Sequence, residues 1–177
     1  MIRAMPMRLR LLGVALVLPV LALAACATMP GTDAGLRVVV LRHAEKDVSV
    51  KDDPPLTEAG ARRADRIAQR VAGTRVDAIY STDTRRTRAT ATPAAISQRL
   101  QIETYDPRRA VGEFVAALRH QHHSGTLVVI GHSNTVPAIV AALCDCPVAP
   151  MDDAEYDRWS EVRIDGKGHA RLSQERY

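Results

Sequence analysis

The stretch 38-VVVLRHAEK-46 decides the fold. Val38 to Leu41 extend an apolar run that begins at Leu36 and is broken only by Arg37, and the run then stops on Arg42 and His43. A short unbroken run of branched apolar residues is what a strand covered on both faces requires. A cation and an imidazole at its end are foreign to a core and at home on the rim of a sheet. The stretch 126-TLVVIGH-132 repeats the pattern, an apolar strand ending in His132. A third apolar run, 76-VDAIYS-81, leads into 82-TDTRRTRATA-91, which is dense in arginine.

Helical patterns fill the intervals. Thr57 is placed to cap a helix from Glu58, along which Ala61, Ala64, Ala68 and Val71 recur at helical spacing before Gly73 stops it. A second helix is expected from Arg85 to Leu100, kinked at Pro93, and a third over Val111 to His122. A fourth begins near Pro137, where proline suits a first turn, and runs to Leu143. Ile102 to Tyr105 reads as a short strand, and 161-EVRIDGKGHARL-172 as a hairpin turning at DGKG. Strands alternating with helices give an α/β protein, a three-layer α/β/α sandwich around a mostly parallel sheet.

The first 25 residues are of another kind. Arg3, Arg8 and Arg10 precede an apolar stretch, Leu11 to Ala25, that ends in LAAC at Cys26. We read 1–25 as a lipoprotein signal peptide, Cys26 as the lipidated residue, 26–35 as a flexible tether and 36–177 as the domain. That places the protein in the cell envelope, exported and lipid-anchored on the periplasmic side of the membrane. Without the leader, Lys+Arg falls from 24 to 21 against 20 Asp+Glu, so the formal charge drops from +4 to +1. This balance argues against a nucleic-acid partner. Cys144 and Cys146 lie too close together for an easy disulfide. They are read as a helix-end and a loop cysteine without a catalytic role, although an oxidising compartment would let them pair. His120, His122 and His123 end a helix, where polar residues are ordinary, and are not assigned a metal.

In an open α/β sheet, ligands bind beyond the carboxyl ends of the strands. Three segments therefore deliver two histidines and several arginines to one rim. Guanidinium forks match the oxygens of a phosphoryl group, and a neutral imidazole is a nucleophile that splits phosphoryl transfer into two steps. Two arginines and a second, protonated histidine would stabilise the transferred group with no metal or organic cofactor.

The segments LRHAEK, PPLTEAGARRA, YSTDTRRTRATA and VVIGHSNTV, in that order, resemble the histidine phosphatase superfamily, the phosphoglycerate-mutase-like proteins. The resemblance implies that His43 is the nucleophile, that Arg42 and Arg86 bind the phosphoryl group, and that His132 stabilises it. Arg86 is preferred to Arg85 because that register sets Thr90 and Ala91 on the family's T-A pair. Ser133 stands where one branch carries an acidic proton donor. Glu103, Asp106 and Glu113 are the remaining candidates, none in a recognisable motif. The activity implied is hydrolysis of a small phosphate monoester or of a phosphohistidine protein. A mutase would need insertions that this chain lacks, and a phosphate-binding protein without turnover is the other alternative.

Overall fold

The computed structural model describes residues 35–177. The leader, Cys26 and nearly all of the expected tether lie outside the described residues. The element order is β1 (Leu36–Arg42), α1 (Glu58–Ala72), β2 (Ala78–Ser81), α2 (Arg85–Gln98), β3 (Ile102–Thr104), α3 (Val111–Gln121), β4 (Gly125–Gly131), α4 (Val136–Cys144), β5 (Arg158–Ile164) and β6 (Ala170–Arg176). The strands form one six-stranded sheet in the order β3-β2-β4-β1-β5-β6. The first four are mutually parallel, and β5 and β6 add an antiparallel edge.

The apolar runs are unbroken because both faces of the sheet are covered. Val38 and Val40 face a core that includes Val115 and Leu118 of α3 and Ile139 and Leu143 of α4. Val39 and Leu41 face the opposite core, with Ile67 and Val71 of α1 and Ala91, Ala94 and Ala95 of α2. Fully burying each such aliphatic side chain is worth about 1.5–3 kcal/mol. Small residues on α1 and α2 let these two helices pack on each other. A Cβ on Gly60 would come within 2.3 Å of the Glu45 carbonyl oxygen, so the start of α1 lies directly on the RHAEK segment.

Local signals act as the sequence suggests, with some shifts. Thr57 caps α1, its hydroxyl accepting from the Gly60 N–H, a bond worth about 1 kcal/mol. Paired strand in β2 starts at Ala78, and the Val76 N–H donates to the Gln98 side chain. The β5–β6 turn is organised by the Asp165 carboxylate, which accepts from the N–H groups of Lys167 and His169. Cys144 and Cys146 form a disulfide, contrary to the unpaired reading. Asp145 between them turns left-handed at φ 50°, which ends α4 and leaves the two Cα atoms 5.1 Å apart. Trp159 is buried against α1, with the Arg70 guanidinium 4.5 Å above its ring.

Candidate active site

The site sits where β2, β4 and β1 end side by side. Arg42 pairs in register with Gly131 and Leu41 with Ile130, so His43 and His132 follow equivalent positions on neighbouring parallel strands. The His43 N–H donates to the Gly131 carbonyl, and the two imidazole centroids lie 5.4 Å apart, edge to face. Ser81, at the end of β2, leads through Thr82 into α2, whose first turn carries Arg86. Arg42, His43, Arg86 and His132 thus line one open cavity of about 340 Å³, together with Lys46, Arg108 and Asp153. The residues singled out in the sequence are brought together, and Arg85 is left exposed.

Hydrogen bonding sets the state of each group. His43 Nδ1 lies 2.8 Å from the Ala44 carbonyl oxygen, which can only accept. Nδ1 therefore carries the proton, and Nε2 keeps its lone pair. On His132 the order is reversed. Its Nδ1 accepts from Arg86 Nη2 at 3.4 Å, so Nε2 carries the proton and donates to Thr82 Oγ1 at 2.9 Å.

Burial lowers the His43 pKa to about 3, helped by Arg42, His132 and Arg86 and opposed by the bond to Ala44. His132 is lowered to about 4 by burial and by Arg86, Arg42 and Lys46. Without a bound anion these cations favour the neutral form of His132, whereas the expectation of a protonated second histidine concerns the site with a phosphoryl group in it.

Arg42 is only 3% exposed. Its Nη1 donates to the carbonyls of Asp152, Asp153 and Glu155 at 2.9–3.0 Å, and Tyr156 covers its guanidinium at 4.2 Å. Arg86 is held from the other side by Asp53, whose carboxylate also accepts from the Arg85 N–H. The Nε atoms of Arg42 and Arg86 are buried and have no hydrogen-bond partner among the described residues. Leaving a buried donor unpaired costs about 1–3 kcal/mol, which is recovered if an oxyanion accepts from it. Thr90 joins the two arginine segments, accepting from the Ala44 N–H at 3.0 Å and donating to the Arg86 carbonyl at 2.7 Å.

The three acidic residues considered as proton donors do not line this cavity. Glu103, Asp106 and Glu113 line a separate cleft between β3 and α3, and Asp106 is closed on Arg108 and Glu113 on Arg109. The carboxylate in the cavity is Asp153. It accepts from Ser133 Oγ at 2.9 Å, lies 3.8 Å from Arg42 Nη2, and its side chain is 94% exposed. Asp153, Tyr156, Thr82 and Asp53 were missed in the sequence. The signal for the first two was indirect. A strand antiparallel to β1 must begin at the rim where β1 ends, so the segment entering β5 belongs to the site. His122 is engaged by the Tyr80 hydroxyl at 2.8 Å.

Residues 38–109 match the model of the histidine phosphatase superfamily, branch 1. This segment contains Arg42, His43 and Arg86. The match covers less than half of the chain. Solved structures of phosphatases agree in fold. The protein histidine phosphatase SixA, complexed with tungstate, is 22% identical, with a TM-score of 0.68 over 79% of this chain and 96% of that one. A mycobacterial glucosyl-3-phosphoglycerate phosphatase is 18% identical, with a TM-score of 0.63 over 78% of this chain and 97% of that one. The same enzyme in complex with inorganic phosphate is 19% identical, with a TM-score of 0.62 over 77% and 95%. No curated protein matches the chain in sequence.

Proposed function

We propose that the protein is a histidine phosphatase that hydrolyses phosphate monoesters or phosphohistidine through a phosphoryl intermediate on His43. The observation that carries the reading is the fixed tautomer of His43. A backbone carbonyl holds its Nδ1 proton, and the Nε2 lone pair lies in a cavity flanked by two arginines whose buried Nε–H groups are unpaired among the described residues. In the first step the Nε2–P bond forms as the bond from phosphorus to the leaving oxygen or nitrogen breaks, and the leaving group takes a proton. In the second, water attacks phosphorus, the Nε2–P bond breaks, and phosphate is released. Arg42 and Arg86 carry the charge of the phosphoryl oxygens, and His132 donates or accepts as that charge changes. A bound dianion reverses the local field and draws a proton towards His132.

Asp153, exposed and held by Ser133, is the carboxylate next to the reacting centre. A substrate whose leaving group departs readily suits such a site, and a protonated imidazole leaving from phosphohistidine is one. Support for oxyanion binding also comes from the tungstate and phosphate complexes of the structural neighbours.

The test is single-turnover hydrolysis by the full chain, with phosphohistidine peptide and aryl phosphate as substrates. Acid-labile phosphoprotein should form in the wild type and be absent in His43→Ala. Equal slow rates in both proteins would remove the enzyme reading and leave a phosphate-binding domain.

We also propose that Cys26 is lipidated and holds the domain at the periplasmic face of a membrane, on the strength of LAAC after a basic and apolar leader. Metabolic labelling with a fatty acid checks this. Cys26→Ser should lose the label and the membrane association, and a labelled variant would refute the assignment.

A further inference from the structure

Four cations line the cavity, and a phosphoryl dianion accounts for two of them. Arg42 is buried and Arg86 partly so; both are tied by their Nη groups and left with buried, unpaired Nε donors among the described residues. Arg108 is committed in part, its Nε and Nη2 donating to the Asp106 carboxylate at 3.0 and 3.2 Å. Lys46 is different. Its ammonium has no hydrogen-bond or ion-pair partner among the described residues.

This is not for lack of carboxylates nearby, because each has another partner. Glu45, the preceding residue, faces α1 and closes on Arg63 through three bonds of 2.7–3.0 Å. Asp53 is taken by Arg86 and the Arg85 N–H. Asp153 is taken by Ser133, with Arg42 behind it. Lys46 is also fixed at its backbone, where it forms a β-bridge with Leu56 that closes the loop between them. Its charge reaches the centre of the site, since it helps hold His132 neutral. A lysine on an anchored backbone, turned into a phosphoryl cavity and without a partner, has a charge to offer to something the phosphoryl group does not supply.

We infer that Lys46, assisted by Arg108, forms a second anion subsite beside the phosphoryl site, and that the preferred substrates carry a carboxylate or a second phosphoryl group on the leaving group. This rests on the phosphoryl-binding reading of the cavity and narrows it. Lysine suits the task as a flexible point charge that can follow anions of different shape, while the planar forks of Arg42 and Arg86 hold the invariant part of the substrate.

Binding of non-hydrolysable phosphonates to the full chain tests this without requiring turnover. The probes are 3-phosphonopropionate, its neutral amide 3-phosphonopropionamide, and ethane-1,2-bisphosphonate, titrated calorimetrically at pH 7.5. One charge-assisted contact should make the carboxylate or the bisphosphonate bind about tenfold tighter than the amide. The tighter of the two identifies the anion the subsite prefers. Lys46→Met should bring the ratio close to one, Lys46→Arg should keep most of it, and Arg108→Gln should lower it by a smaller factor. Lys167→Met, in the distant β5–β6 turn, controls for net charge and should keep the ratio whole.

Equal affinity of the wild type for all three probes overturns the inference. So does a preference that survives Lys46→Met, one that Lys167→Met removes equally, or one that depends on Arg108 instead. A preference without His43-dependent hydrolysis supports the subsite and retires the catalytic reading. Turnover without a preference does the reverse, and failure of every phosphonate to bind overturns both.

Discussion

Two adjacent parallel strands end in histidine, and the two histidines are not alike. His43 leaves β1 almost wholly buried and gives its Nδ1 proton to the next carbonyl along its own chain. His132 leaves β4 at the equivalent register position, half-buried, and is held by side chains from the β2–α2 segment, Thr82 on one nitrogen and Arg86 on the other. The backbone orients the first, so its lone pair is presented whatever the neighbouring side chains do. Side chains orient the second, so its proton follows theirs. On the proposed mechanism, the same residue on equivalent strands would serve once as a fixed nucleophile and once as an adjustable clamp.

The sharpest way to break this contrast is to remove each ring. His43→Ala should lower kcat/KM by about 10⁴-fold or more and abolish phosphoprotein, because no other group forms the bond to phosphorus. His132→Ala and Arg86→Gln should each cost about 10²–10³-fold and still form some phosphoprotein, the usual loss for one charge-stabilising group. If His132→Ala proves as damaging as His43→Ala, the division of labour is wrong. Thr82→Val should cost about tenfold in turnover, since it removes the acceptor for the His132 Nε2 proton and touches no substrate.

Titration by NMR discriminates more finely. Arg86 is the foremost charge acting on His132 and the last of those acting on His43. Arg86→Gln should therefore raise the pKa of His132 from about 4 by more than that of His43 from about 3. Equal rises would show that the two rings share one field.

Stability follows the same groups. Both pKa values are depressed by folding, so the unfolded chain binds more protons below its ordinary histidine value near 6.5. Their contribution is complete above about pH 6.5 and is lost as pH falls towards 4 and then 3. Thermal melts should show Tm falling between pH 7 and pH 4. His43→Gln should flatten that slope more than His132→Gln.

Much of this was legible in the chain because it is local. Apolar runs mark β1 and β4, Thr57 marks the start of α1, and the Thr90–Ala91 pair sets the register that puts Arg86, not Arg85, into the cavity. The illegible parts are those made at a distance. The carbonyls that hold Arg42 come from residues 110 and more positions away and carry no pattern, because any residue supplies a carbonyl. The charge of His132 depends on cations gathered by the fold, so its neutrality could not be read from 126-TLVVIGH-132. The three acidic residues near α3 were plausible by position along the chain. Their side chains line a cleft beside β3, while Pro107 and Arg108 of the loop after β3 border the site.

The hold on Arg42 has a consequence for how such a protein can change over evolutionary time. Its three acceptors are main-chain oxygens, so Asp152 and Asp153 can be replaced without releasing the arginine, provided the backbone path is kept. Natural variation can therefore explore side chains on the segment beside the leaving group while the phosphoryl clamp stays put. New substrate preferences would arise there first, through substitutions that leave the reaction itself untouched.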